Sequence, residues 1–441
     1  MTTPIVDFVR NYAARDGGRF HMPGHKGKSF LGCEALDITE IAGADVLYAP
    51  SGVIAESEAN ATALFGTAHT YYSAEGSSLA IKAMLALASR GRQNARILAA
   101  RNVHKAFVYA AALLDLRVDW LAAEGGHIVT ANITAENVRL ALESADAPPD
   151  AVYVTSPDYL GNLLDIGGIA AVCRDFGVPL LVDNAHGAYL RFLSPSRHPI
   201  DLGAAMCADS AHKTLPVLTG GAYLHIAKGF ESYTDGARDA LSLFASTSPS
   251  YLILQSLDLC NRYLADGYAK RLADAVARLD ALRAHLSKAG IPYREGEPQK
   301  LVLSACPLGY TGEGLAEHLR IRGIEVEFAD GEYTVLMVTP ENSEEDLTRL
   351  WDVLVSLSRR APIFPPPMPM GEMPDTVISI RAAMLARHTR VPVRAALGKV
   401  CGAPTVACPP AVPIVISGER ITSESIALFE RYGINEVDIV L

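Results

Sequence analysis

Short apolar runs recur at intervals between about residue 61 and residue 230, and helical stretches separate them. Ala95 to Ala99, Val118 to Leu121, Ala151 to Thr155, Pro179 to Asp183 and Gly221 to His225 read as strands. Ser77 to Ser89 and Gly167 to Phe176 read as helices. Buried strands that alternate with helices are connected by crossovers, so the pattern predicts an α/β fold with a mostly parallel central sheet. Ligands in such sheets sit beyond the carboxyl ends of the strands. Asp183 falls at such an end.

The remaining segments organise around this block. Residues 1–60 hold a short amphipathic helix, Ile5 to Ala14, then the loop from His21 to Lys28, and read as an N-terminal arm. Residues 61–298 read as the major domain. They close with a long helical stretch, about Ser250 to Lys288, that carries a leucine stripe. Residues 299–361 read as a small α+β domain, with strands at Leu301 to Ser304 and Tyr333 to Val338 and helices at Gly312 to Arg322 and Ser343 to Ser358. Residues 362–374 contain Phe364-Pro-Pro-Pro-Met-Pro369 and read as a linker. Residues 375–441 read as a small C-terminal domain.

The chain of 441 residues is long enough for two or three domains. Its net charge of -10 argues against nucleic acid as the main partner. The seven cysteines are scattered and no pair has CxxC spacing, so no metal site is expected. An odd cysteine count and a charged start without an apolar leader suit a reducing cytoplasm. No apolar run is long enough to span a membrane.

Asp183 is followed thirty residues later by Lys213, in Ser210-Ala-His-Lys213. Taken alone, a loop lysine is ordinarily a solvated charge, and an aspartate after a strand is ordinarily a helix N-cap. As a pair they supply what pyridoxal phosphate (PLP) requires: an amine for its aldehyde and an anion for its ring nitrogen. Glu75-Gly-Ser-Ser78 opens a predicted helix. Gly76, Ser77, Ser78 and the amides of the first turn form a candidate phosphate site, where the plainer reading is a serine N-cap. His104 follows a strand end and can stack on a ring, or be a surface histidine. His186 stands three residues after Asp183 and can face the same pocket. Ser210 can bond a phosphate. His212 can move a proton at the substrate α-carbon or serve structure alone.

Five blocks stand in order along the chain: His21 to Gly27, Arg101 to Lys105, Asp183 to Gly187, His212 to Pro216, and Ser246 to Tyr251. They resemble those of the ornithine/lysine/arginine decarboxylases, in the compact bacterial branch without a wing domain. The resemblance runs on through Cys408 to Pro413 and covers nearly the whole chain. It implies fold type I of PLP enzymes, the aspartate aminotransferase fold, in a homodimer or higher oligomer with shared active sites. It implies Lys213 as the cofactor-linked lysine, Asp183 as partner of the pyridine nitrogen, and His104 stacked on the ring. Ser77, Ser78 and Ser210 would hold the phosphate. Thr247 would reach the partner subunit's cofactor, and His21 and His25 would lie near the entrance. The implied reaction is decarboxylation of arginine, lysine or ornithine, in that order, as in polyamine biosynthesis.

The chain departs from the family pattern at Ala68, Glu75, Asp158, Asn184 and Ala411. Most of these fall on strand-end loops, where substrate contacts are expected. Asp45, Glu75 and Asp158 are candidates to meet the distal cation of the substrate. Two other readings remain open. One is a PLP enzyme of the same fold that transaminates, cleaves or oxidatively deaminates its amino acid, with Arg381, Arg387 or Arg390 as carboxylate clamp. The other is a regulator or scaffold without activity.

Overall fold

The computed structural model describes residues 1–121, 127–368, 373–404 and 411–441. Seven strands form the central sheet: β1 (His69–Ser73), β2 (Arg96–Ala100), β3 (Arg117–Leu121), β4 (Ala151–Thr155), β5 (Leu180–Asp183), β6 (Met206–Asp209) and β7 (Ala222–Ile226). Their order is β1-β7-β6-β5-β4-β2-β3. The pairs β2–β3, β4–β5 and β5–β6 are parallel, whereas β7 runs antiparallel to both β6 and β1. The fold is therefore α/β with a mostly parallel sheet, as the alternation predicts. Strands β4 and β7 are apolar and almost wholly buried, which is why they read clearly from sequence.

By internal contacts the chain divides into two compact units. The first comprises Met1–Gln93, Asp146–Ser156 and Ile166–Lys270. In it, helix α1 (Pro4–Ala13) buries Ile5, Val6 and Val9, and the Val6 amide donates to Asp258 Oδ2 at 3.0 Å. Helix α2 (Val53–Phe65) starts where the Asp45 carboxylate accepts from the amides of Ser51, Gly52, Ile54 and Ala55. Helix α3 (Gly76–Ala88) buries Leu79, Ile81, Met84 and Leu85. The stretch expected as one helix from 250 to 288 is two, Tyr251–Ala265 and Tyr268–Lys288. Gly267 lies between them at φ +70°, a left-handed conformation that ends the first helix and that glycine adopts without strain.

The second unit comprises Asn94–Ala145, Pro157–Asp165 and Arg271–Leu441. It holds the β2–β3 pair and helix α4 (Lys105–Leu114). A four-stranded antiparallel sheet is built from β8 (Tyr293–Arg294), β9 (Lys300–Ser304), β10 (Phe328–Ala329) and β11 (Tyr333–Met337). It packs through Leu301, Leu303 and Leu336 on a core with Leu315, Leu319, Leu350 and Leu354. Near the C-terminus, β12 (His388–Pro392) pairs antiparallel with β13 (Glu436–Val440) around a separate core that includes Val415, Ile421, Phe429 and Val437. Cys408, in the last of the resembling blocks, lies outside the described residues.

Candidate active site

The carboxyl ends of β5 and β6 bring the sequence candidates together within the first unit. Asp183 is the last residue of β5 and is 2% exposed. Burial pushes its carboxyl up to about 6, against the opposing pull of the Lys213 charge, the Ala185 amide and the Tyr153 hydroxyl. Lys213 lies in a single helical turn, Ala211–Thr214, just beyond β6. Its Nζ stands 3.1 Å from His186 Nε2. His186 is buried and lies within the turn closed by the Gly187 amide donating to the Asn184 carbonyl. Three of the residues singled out from sequence thus converge on one point.

Ser210 Oγ donates to Ser77 Oγ at 2.8 Å, which joins the hydroxyl after β6 to the first turn of α3. Gly76 has φ +71°, and the N-cap residue Glu75 makes no side-chain bond to the helix start. The plainer N-cap reading of this segment therefore does not hold: Ser77 and Ser78 sit inside the first turn. The amides and positive dipole end of α3 lie beside two hydroxyls, an arrangement suited to a phosphate. An amine, a buried carboxylate and converging hydroxyls at a helix start make up the donor set that PLP requires.

His212 is anchored by a bond of its own. Its Nδ1–H donates to the Gly221 carbonyl at 2.9 Å, and burial lowers its proton affinity, so the ring is neutral with Nε2 as acceptor. Thr247 is exposed, and the neighbouring Ser246 amide donates to Glu75 Oε1 at 2.7 Å. His104 belongs to the second unit, where its Nδ1 accepts from the Ala106 amide and caps α4. In the N-terminal loop, His21 Nε2 meets the Tyr12 hydroxyl at 2.6 Å and His25 Nε2 meets Asp37 at 3.1 Å.

The acidic candidates for a substrate cation all have other work. Asp45 caps the approach to α2, and Glu75 holds the Ser246 loop. Asp158 is buried and accepts from the amides of Leu160 and Asn162 and from the Asn162 side chain. Asn184 is also a structural residue: it is fully buried, and its Nδ2 donates to Asp209 Oδ1 at 2.7 Å. Two of the arginines considered as a carboxylate clamp are likewise engaged. Arg381 donates to the Ala112 and Leu113 carbonyls, and Arg390 pairs with Asp438.

Residues 3–291 match the family model described as "Orn/Lys/Arg decarboxylase, major domain". The chain belongs to the Orn/Lys/Arg decarboxylase family. Within that family it is similar to the arginine decarboxylase of Bacillus subtilis, at 31% identity over 96% of this chain and 92% of the relative. It is also similar to the arginine decarboxylase of Halalkalibacterium halodurans, at 32% identity over the same shares. The solved E. coli constitutive lysine decarboxylase aligns with a TM-score of 0.80 at 17% identity, covering 100% of this chain and 82% of that one. Sphingomonas wittichii serine palmitoyltransferase aligns with a TM-score of 0.57 at 14% identity, covering 81% and 83%. These two likenesses show the fold, which is that of fold type I PLP enzymes.

Proposed function

We propose that this family member decarboxylates a basic amino acid, with arginine as the first candidate and lysine and ornithine after it, and that it holds PLP to do so. The observation that carries the reading is Asp183, a buried carboxylate at the end of a parallel strand whose charge is stabilised by Lys213. When bound, PLP supplies an electron sink for the pair released as the carboxylate leaves. Asp183 would keep the ring nitrogen protonated. Ser77, Ser78, Ser210 and the first turn of α3 would hold the phosphate, and Gly76 would let the backbone approach it. Lys213 would carry the aldehyde, with His186 positioning its Nζ. His104 would cover the ring face. His212, neutral with Nε2 as acceptor, would have to take a proton onto Nε2, from solvent or the substrate ammonium, before it could deliver that proton to the α-carbon once carbon dioxide has left.

The relatives named arginine decarboxylase support arginine as the first candidate. Thr247 is exposed on a loop anchored by Glu75, which supports its reaching the site of a second copy in a homodimer. Six of the cysteines form no disulfide, which supports a reducing cytoplasmic setting. The test is mass spectrometry of products after incubation with arginine, lysine and ornithine in the presence of PLP. The expected products are carbon dioxide and the matching amine, fastest from arginine. A keto acid formed without carbon dioxide would overturn the reading.

A further inference from the structure

Beneath the end of β6 lies a buried group of four side chains that the proposed reaction does not use. His198, Cys207, Asp209 and His225 are each fully buried. One ligand atom from each lies within 4.8 Å of the others. Asp209 Oδ2 is 3.0 Å from His198 Nε2 and 3.2 Å from His225 Nε2. Cys207 Sγ is 3.9 Å from His198 Nε2 and 3.7 Å from Asp209 Oδ1. Cys207 and Asp209 point to one face of β6 because they are two residues apart, and His225 is the direct antiparallel partner of Cys207 on β7.

We propose that this group is a structural site for a divalent transition metal, with zinc as the best match. A tetrahedral ion bound at about 2.0–2.3 Å places its ligand atoms about 3.3–3.8 Å apart, and the 3.0 and 3.2 Å from Asp209 Oδ2 to the two imidazoles and the 3.9 Å from Cys207 Sγ to His198 Nε2 lie on either side of that range. The donor set is one thiolate, one carboxylate and two imidazoles. Two negative charges balance a divalent cation, and the mixture of sulfur and nitrogen donors favours zinc over calcium or magnesium. A supporting layer is also present. His225 turns its other ring nitrogen to Thr70 Oγ1 at 2.9 Å, which leaves Nε2 as the nitrogen that faces the group. The second oxygen of Asp209 takes the Asn184 amide. All four ligands are closed off from solvent, as in a structural rather than a catalytic metal centre. The site departs from the expectation of no metal that the cysteine spacing gives.

The alternative for the same residues is a metal-free cluster in which Asp209 accepts from both imidazoles and from Asn184. Metal content of the full-length protein separates the two. The protein is expressed with added zinc, dialysed against a chelator and analysed by mass spectrometry for metals. The expected result is close to one zinc per chain. C207S and H198Q should lower that content about tenfold or more, while C33S leaves it unchanged; T70V should weaken retention by about tenfold. Refolding with cobalt(II) should give a thiolate-to-cobalt charge-transfer band. Should the variants fail to fold, the wild-type metal content and cobalt band decide alone. A wild-type protein with less than about a tenth of a zinc per chain, both as purified and after refolding in excess zinc, would overturn the proposal. So would a cobalt-loaded protein without the charge-transfer band. None of these readouts depends on PLP or on turnover.

Discussion

Lys213 Nζ lies 3.1 Å from His186 Nε2, and each comes from a separate strand end, β6 and β5. The contact sets the amine in place before any cofactor arrives. K213A is therefore expected to abolish turnover and the covalent trapping of PLP by borohydride. H186N should keep the trapping but lower kcat/KM by about 100-fold, the scale of a lost positioning or proton-transfer group. Borohydride trapping with mass spectrometry, alongside product assays, checks both. Retained turnover in K213A would remove the assignment of this site.

Asn184 departs from the family pattern on a loop where a substrate contact is expected, yet its side chain faces the interior and bonds Asp209. N184A should cost about 1–3 kcal/mol of stability, since it strips a donor from a buried carboxylate. The preference among arginine, lysine and ornithine should stay the same. Urea unfolding and competition assays measure the two effects separately. A changed preference with unchanged stability would return Asn184 to the substrate pocket.

Ala411, another departure, has φ +58°, and its carbonyl accepts from the Lys105 amide at 2.9 Å. The left-handed conformation costs an L-residue about 1–2 kcal/mol. Glycine removes that cost but loses about 0.5–1 kcal/mol more backbone entropy on folding. A411G should therefore stabilise the protein by roughly 0.5 kcal/mol net. The urea midpoint should rise slightly at constant slope.

Asp258 is buried between Ser57 Oγ, at 2.6 Å, and the Val6 amide, and desolvation pushes its carboxyl up from 3.8 to about 6. The native state then keeps a proton that the unfolded chain has released. The contribution of this group to stability is full below about pH 4 and is lost as pH rises toward 6, by about 2–3 kcal/mol in all. D258N should flatten that part of the profile relative to wild type. Chemical denaturation at a series of pH values between 4 and 7 reads the difference; parallel profiles would refute the shift.

Strands β4, β5 and β7 are legible in the sequence because burial on both faces leaves a dense apolar run, and α3 is legible from its apolar residues at helical spacing. Strands β1 (His69–Ser73) and β6 (Met206–Asp209) are not. The first is polar and aromatic, and its buried Thr70 and Ser73 are satisfied by partners distant in sequence or by the local turn. The second, Met-Cys-Ala-Asp, carries no β-branched or aromatic residue to mark a strand. Lys213, Asp183, His186, Ser77 and Ser210 can be named because each follows a strand end or opens a helix. The His198, Cys207, Asp209 and His225 group leaves no spacing signal. Its members come from a loop, from alternate positions on one strand and from an antiparallel neighbour, so only register places them together.

The bond from the Val6 amide to Asp258 joins positions 252 residues apart. Ile5, Val6 and Val9 therefore complete their burial only when a segment far along the chain is in place. Their docking belongs to the last events in assembly of this unit, when the helix Tyr251–Ala265 has emerged.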